Sequence, residues 1–355
     1  MAQKRKTALH ISVLVLYNQV GEDEYERLRE VDPATIPFKL EYPVHVSTMR
    51  EEYDAIVKGL VQEGFDALAV NLQDNLGKLE RLLRRSPPDV IFNLVELFHD
   101  SPQLEGMVAG MFELYRIPYT GSTPFALGLC QRKGLTKQVL FANGVPTPRY
   151  RLLRKPEISK RHGLHYPLIV KPAREDASAG IDKNSVVYDY ASLDERLQKM
   201  FKEFTPPVMA EEYIEGRELH VSIIGNNPPV VLPVIEFDFS ELPDDHPRII
   251  SYAAKWNPLE ESYHRVHSVC PAKLPKRILK KVQDVSLRAY KETGCRDYAR
   301  LDLRVGKHNQ VYVLEVNPNP DLTEGVSFME SAEKAGFTFS QTLRKIVEFA
   351  LERKR

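Results

Sequence analysis

An α/β protein built from three compact units is what this sequence predicts, and three observations carry that expectation. Strand-like and helix-like segments alternate through residues 1–125, the pattern of a parallel sheet with crossover helices. The chain is 355 residues long, too much for one small domain. Beyond residue 214 the alternation gives way to paired strands, Glu218–Ile224 with Val230–Glu236 and Ala299–Val305 with Val311–Val316.

Each element follows from its pattern. Ile11–Leu16 is a short β-branched run and reads as a buried first strand, although Lys4-Arg5-Lys6 before it gives the segment a superficial likeness to a secretion signal. The run is too short for that and lacks a small-residue cleavage site. Glu51–Glu63 is an amphipathic helix, Ala67–Asn71 a strand and Lys78–Arg85 a polar helix; Pro87-Pro88 breaks the chain before the strand Val90–Leu94. A helix from Gln103 to Tyr115 leads into Ile117-Pro118-Tyr119-Thr120-Gly121-Ser122, a short strand ending in a turn. The second unit, 126–213, has a helix from Lys133 to Asn143 that stops at Gly144 with Pro146 and Pro148 beyond. It continues through the strand Leu168–Lys171, a small-residue loop, the strand Ser185–Tyr188, the helix Leu193–Phe204 and the strand Val208–Tyr213. The third, 214–355, adds to its strands the helix Lys276–Thr293 and a last helix ending near Arg355. Residues 238–265 are polar, contain proline and show no period, as a functional lid would. No internal repeat or low-complexity tract is present.

Composition narrows the function. Lys+Arg and Asp+Glu both number 49, so no overall field draws the chain to nucleic acid or an acidic membrane. No run approaches the roughly 20 apolar residues that span a bilayer. Cys130, Cys270 and Cys295 are odd in number and widely spaced, which suits a reducing compartment and a cytoplasmic protein.

The most informative segment is the hairpin of the last two strands. If residues 307–310 form its loop, Asp302 lies opposite Glu315 and Arg300 opposite Asn317. Side chains alternate faces along a strand, so these four share one face. Leu301, Leu303, Val305, Tyr312, Leu314 and Val316 take the other, toward a core. Two opposed carboxylates repel unless something positive lies between them. Magnesium, which prefers hard oxygen ligands, is the natural candidate; a solvated face with an Arg–Asp ion pair is the competing reading. Asn317-Pro318-Asn319-Pro320-Asp321 favours the metal, because two prolines after a strand fix an irregular loop where a simple turn would suffice.

Three further segments gain meaning only together. In Val170-Lys171-Pro172-Ala173-Arg174-Glu175-Asp176-Ala177-Ser178-Ala179-Gly180-Ile181 a lysine ends a strand before a small-residue loop, whose backbone N–H groups can surround phosphate oxygens. It is not a Walker A loop, and an ordinary surface hairpin reads the same way. Glu211-Glu212-Tyr213-Ile214-Glu215-Gly216-Arg217-Glu218 offers strand-end acids for adenine and ribose hydroxyls, or simply a charged edge. Lys133 and Lys255, taken alone, are surface lysines.

In this order and spacing the segments resemble the ATP-grasp superfamily, and within it the D-alanine–D-alanine ligase-like family. The resemblance covers nearly the whole chain and is strongest from Ile117 onward. Pro118-Tyr119-Thr120-Gly121-Ser122 looks like the family's join between its first two domains, and Gly336-Phe337-Thr338-Phe339 like its closing segment. The resemblance implies an N-terminal α/β domain followed by two ATP-grasp subdomains with ATP between them. It assigns ATP binding to Lys133, Lys171, Ser178, Glu211, Ile214, Glu218 and Lys255, and magnesium, with manganese as an alternative, to Asp302, Glu315 and Asn317. Arg300 and Lys255 become the catalytic residues: Lys255 neutralises phosphate, and Arg300, with a backbone N–H near Asp321, stabilises an oxyanion. The reaction implied is carboxylate–amine ligation through an acyl phosphate, on amino acid or peptide substrates, by a homodimer. The lid 238–265 would exclude water.

Departures from the family's pattern fall where the substrates bind. Tyr17–Glu24 lacks the family's Gly-Gly-x-Ser-x-Glu run, and Val95-Glu96-Leu97-Phe98-His99-Asp100-Ser101-Pro102 replaces its His-Gly-x-x-Gly-Glu-Asp-Gly run. Asp321 stands for a glycine, Ala177 for the first of two loop serines, and Val326, with Ser327 beside it, for a substrate-binding serine. Glu22, Glu24, Glu96 and His99 are the candidates left for holding an amine. Two competing functions use the same ATP site: a phosphotransferase or carboxylase, and a nucleotide-binding regulatory protein without turnover.

Overall fold

The computed structural model describes residues 11–175 and 177–353. The basic Lys4-Arg5-Lys6, the Asp176 of the small-residue loop and the expected helix end near Arg355 lie outside the described residues.

The first unit runs β1 (Ser12–Tyr17), α1 (Met49–Gln62), β2 (Asp66–Asn71), α2 (Leu76–Arg85), β3 (Val90–Leu94) and α3 (Glu105–Leu114). Its three strands are parallel in the order β2-β1-β3, as the strand–helix alternation requires. Thr48 caps α1 in a reciprocal box with Glu51, satisfying two otherwise orphaned N–H groups. Ile117–Ser122 is less regular than expected: Tyr119 makes a single parallel bridge to Ile91.

The second unit comprises α4 (Pro124–Cys130), α5 (Lys133–Ala142), β4 (Tyr150–Leu153), β5 (Leu168–Pro172), β6 (Val186–Val187), α6 (Tyr190–Glu203) and β7 (Val208–Glu212). Its sheet is antiparallel, ordered β4-β7-β5-β6, and α6 closes one face through Leu193, Leu197 and Met200. The sequence reading lacked α4 and β4.

The third holds β8 (Gly216–Ile224), β9 (Val230–Val231), β10 (Ile235–Asp238), α7 (Tyr252–Trp256), α8 (Glu261–Arg265), β11 (His267–Val269), α9 (Lys276–Glu292), β12 (Tyr298–Gly306), β13 (Val311–Asn317), α10 (Ser327–Lys334) and α11 (Phe339–Glu352). The main sheet runs β11-β10-β8-β12-β13, with β9 on β8. The expected strand Val230–Glu236 is split at Pro233, which has no N–H for the ladder. Residues 238–265 are not featureless but carry α7 and α8.

This sheet separates a core from a site. Leu219, Val221 and Ile223 of β8 and Ala299, Leu301, Leu303 and Val305 of β12 face α9, while Glu218, His220, Arg300, Asp302 and Arg304 take the opposite face. The chain's end does not stay with this sheet. Leu343, Ile346 and Val347 of α11 share one core with Val13, Val15, Ile56 and Leu60 of the first unit. A Cβ at Gly59 would come within 2.8 Å of Leu343 Cδ1, so glycine permits this close helix approach.

Candidate active site

The hairpin delivers the expected pairs: Arg300 opposite Asn317, Leu301 opposite Val316, Asp302 opposite Glu315. The loop differs from expectation, because Val305 rather than Gly306 pairs with Val311, and a bulge between Asp302 and Leu303 restores the register. The extra residue is Leu314. It and Tyr312 are therefore not core residues as anticipated; Val311, Val313 and Val316 fill the core, and Leu314 turns to the cleft. Bulges commonly re-aim a side chain in this way.

A cleft of about 640 Å³ lies among the three sheets. Lys171, Ser178, Glu211, Ile214, Glu218, Lys255, Arg300, Asp302, Glu315 and Asn317 all line it. Lys133, from the first turn of α5, reaches the same place through its ion pair with Glu315.

At the hairpin, Arg300 grips Asp302 with two hydrogen bonds, Nε to Oδ1 at 2.8 Å and Nη2 to Oδ2 at 3.1 Å. Asn317 Nδ2 donates to Asp302 Oδ2 at 3.2 Å, and His220 Nε2 lies 3.4 Å from Asp302 Oδ1. Burial alone would raise the Asp302 pKa, yet Arg300 and His220 hold it well below the usual carboxylate range. Burial pushes His220 down to about 3, with Arg300 adding to the effect against Asp302. The imidazole is thus neutral, and its Nδ1 meets Ser327 Oγ at 3.0 Å.

Deeper in the cleft Glu211, fully buried, stands between two lysines: Lys137 Nζ at 3.0 Å and Lys171 Nζ at 3.5 Å. Burial lowers Lys137 to about 8 in spite of Glu211. The Glu211 carboxyl falls below its ordinary value, since the two lysines outweigh its desolvation. Arg304, also buried, donates to Tyr213 Oη and Ile214 O at 3.0 Å each and pairs with Glu218 and the Arg248 carbonyl. Burial nonetheless leaves Glu218 raised.

The small-residue loop leaves β5 with Ala177, Ser178 and Gly180 all at positive φ. A Cβ at Gly180 would sit 2.8 Å from Phe204 Cζ, so this turn requires glycine. Above the loop, Trp256 Nε1 of α7 donates to Ala177 O at 2.9 Å, and Lys255 Nζ lies 4.7 Å from the Trp256 ring centre. Burial, reinforced by Arg300, lowers Lys255 to about 8.

The far end of the cleft is acidic. Glu22, Glu24, Glu96, Glu52 and Asp321 line it beside Tyr25 and Tyr53. Burial and the neighbouring Asp321 raise Glu52 to about 7. His99 does not join them; it is exposed, with Nδ1 3.7 Å from Asp74.

Sequence reasoning missed Lys137, Arg304, His220 and Glu52. Signals for three of them were present. Lys137 lies one helical turn after Lys133, Arg304 continues the Arg300–Asp302 alternation, and His220 follows Glu218 by two and pairs in register with Asp302. The donor set at the hairpin fits a hard cation: two opposed carboxylates and an amide oxygen, leaving further positions to phosphate and water. Among the described residues no group of three or more His, Cys, Asp or Glu is placed to hold a metal. None of their helices is long and apolar enough to cross a membrane.

Residues 139–348 match the family model described as the D-ala D-ala ligase C-terminus. The chain is 30% identical to a D-alanine–D-alanine ligase of Carboxydothermus hydrogenoformans, over 84% of this chain and 92% of that one. It is 32% identical to the uncharacterized protein y4sG of Sinorhizobium fredii, over 84% and 87%. In fold it resembles the D-alanine–D-alanine ligase of Bacillus anthracis complexed with ATP (TM-score 0.71, 23% identity, 97% and 98% covered). It likewise resembles the VanG D-Ala:D-Ser ligase of Enterococcus faecalis (TM-score 0.68, 20% identity, 96% and 99% covered). The chain belongs to the D-alanine–D-alanine ligase-like family of the ATP-grasp superfamily, and with it to the ATP-dependent ligases that form C–N bonds.

Proposed function

We propose that this enzyme activates a substrate carboxylate as an acyl phosphate and passes the acyl group to an amine, joining amino acids or short peptides. The observation that carries the reading is the shared face of Asp302, Glu315 and Asn317, set in one cleft with Lys133, Lys171 and Lys255. Asp302, Glu315 and Asn317 would hold Mg²⁺, or Mn²⁺ in its place, which when bound supplies positive charge to the ATP phosphates. Ser178 and its loop take the phosphates, Ile214 and Glu211 the adenine, and Glu218, steadied by Arg304, the ribose.

A carboxylate oxygen of the substrate attacks the γ-phosphorus and ADP leaves. The amine nitrogen then attacks the acyl carbon, phosphate departs, and the nitrogen loses a proton to give the amide. Lys255 offsets the charge of the transferring phosphoryl group, and Arg300 stabilises the oxyanion of the tetrahedral stage. Glu52 and Asp321 at the acidic end suit an incoming amino group. D-alanyl-D-alanine, the product implied by the name of the Carboxydothermus relative, is one candidate among such products. A homodimer working in the cytoplasm is part of the same proposal.

The test is a phosphate-release screen with Mg–ATP over D- and L-amino acids and short peptides, with products identified by mass. Release should depend on one or two particular amino acids or peptides, and Glu315→Gln should abolish it. Turnover by that variant at the parent's rate would refute the metal assignment.

A further inference from the structure

The segment 23–48, inserted between β1 and α1, has two short 3₁₀ turns, Glu24–Glu30 and Pro33–Thr35, with no buried residue in either. A segment without its own core is held by its outward ties. At its ends these go to α1, where Met49 N donates to Asp23 Oδ2 at 2.6 Å and Arg29 pairs with Glu51 at 2.6 Å. Across the cleft its ties go to the lid segment 238–265 and to His267 of β11.

His264 of α8 is the centre of those ties and has no exposed surface. Its Nδ1 accepts from Glu41 N at 3.1 Å and Tyr42 N at 3.2 Å, and its Nε2 donates to Pro258 O at 2.9 Å within the lid. The rings of Phe38 and Tyr42 lie 5.5 and 6.2 Å from the imidazole. Tyr42 Oη reaches His267 Nδ1 at 2.9 Å, and Tyr25 Oη donates to Trp256 O at 3.3 Å. One imidazole therefore terminates backbone donors of the strap on one nitrogen and a lid carbonyl on the other.

We propose that His264 is a positioning residue: it pins the lid to the strap 23–48, so the placement of Lys255 and Trp256 over the phosphate loop depends on the unit that lines the substrate end. This rests on the reading of Lys255 as a phosphate-binding group. The coupling is mechanical. Strap and α1 move together through Asp23 and Arg29, α1 carries Glu52 into the acidic end, and the lid carries Lys255 and Trp256 into the ATP end. Release of the pin frees the lid without touching any group that meets ATP.

Trp256 is the chain's only tryptophan, so its emission reports lid docking whether or not the enzyme turns over. Asparagine can place an acceptor near the Nδ1 position, whereas glutamine can place a donor near Nε2. His264→Gln should keep the Pro258 bond, lose the two strap bonds and shift Trp256 emission to the red. Losing two hydrogen bonds of ~1 kcal/mol each makes lid opening about thirtyfold easier. The affinity for Mg–ATP, read by Trp256 quenching, should weaken to match. His264→Asn should stay within about twofold of the parent by the same measure. Tyr42→Phe, which removes only the bond to His267, should move the emission in the same direction as His264→Gln and guards against a variant that fails to fold. Equal behaviour of the Asn and Gln variants, or unshifted emission in His264→Gln, would overturn the proposal. Failure of ligation in the screen would leave this readout standing.

Discussion

Glu211→Gln is the substitution whose effect the structure lets one work through. The carboxylate is buried between Lys137 at 3.0 Å and Lys171 at 3.5 Å. Removing one member of a buried ion pair ordinarily costs ~3–5 kcal/mol. Here Lys137 has an escape, since burial has already brought its pKa to about 8. Without Glu211 it falls further, and discharging an ammonium of pKa about 8 costs about 1.4 kcal/mol at pH 7. Lost hydrogen bonds to charged groups add ~1.5–3 kcal/mol, so the destabilisation at pH 7 should be about 3–4 kcal/mol. The sign with pH follows from linkage. Lys137 binds its proton less tightly folded than unfolded, so its contribution to stability rises as pH passes its folded pKa. The parent gains this above about 8, the variant already at lower pH, and the two converge. Glu211, lowered below its ordinary value, is ionised throughout and adds no slope. The loss should therefore shrink to about 2 kcal/mol at pH 9. Urea unfolding followed by circular dichroism at both pH values measures it, and an equal loss at pH 7 and pH 9 would refute the assignment of Lys137 as the group that yields.

Two other outcomes are expected. Because Lys255 is lowered to about 8 by burial and Arg300 and in its proposed role must be charged to meet phosphate, kcat/KM for ATP should be level below that pH and fall about tenfold per unit above it; Lys255→Met should remove the fall along with most of the activity, as a pH series shows. Gly180→Ala puts a Cβ at φ +71° and within 2.8 Å of Phe204 Cζ, a conformation that costs an L-residue ~1–2 kcal/mol; steady-state kinetics should show KM for ATP rising roughly tenfold, with a smaller change in kcat.

Much of the fold was legible because its elements announce themselves locally. The first sheet has short apolar strands, one shortly after Gly64 and one shortly after Pro87-Pro88, and α1 has a capping box readable as Thr48-x-x-Glu51. What escaped was decided elsewhere in the chain. The strand β4 has an intermediate and exposed burial pattern and becomes a strand only because β7 offers it an edge. The C-terminal α11 carries an apolar stripe visible in sequence, but nothing local says that its partner is α1, nearly 300 residues earlier. Leu314 was misplaced for a similar reason: strict alternation puts it in the core, and one bulge in β13 reverses its direction.

The site divides along the same line, and chemistry explains where. Phosphate and a hard cation accept few partners: lysine at a strand end, glycine where the backbone must turn back, carboxylate and amide oxygens on one strand face. Those demands leave fixed residue types at fixed spacing, so Lys171, Gly180, Asp302, Glu315 and Asn317 could be picked from the chain as candidates for the proposed phosphate and cation site. An amino group, by contrast, is satisfied by a carboxylate from any direction. Glu52 is written into the polar side of an amphipathic helix, where a glutamate is unremarked. It becomes a cleft residue only because α1 lies beside Asp321 and Thr323, which follow β13. The strap tells the same story with hydrogen bonds: Glu41 and Tyr42 reach His264 through backbone N–H groups, which every residue but proline supplies. A contact made by the main chain leaves no trace in side-chain identity, so the ties between residues 23–48 and 238–265 become visible only when the two segments are seen side by side.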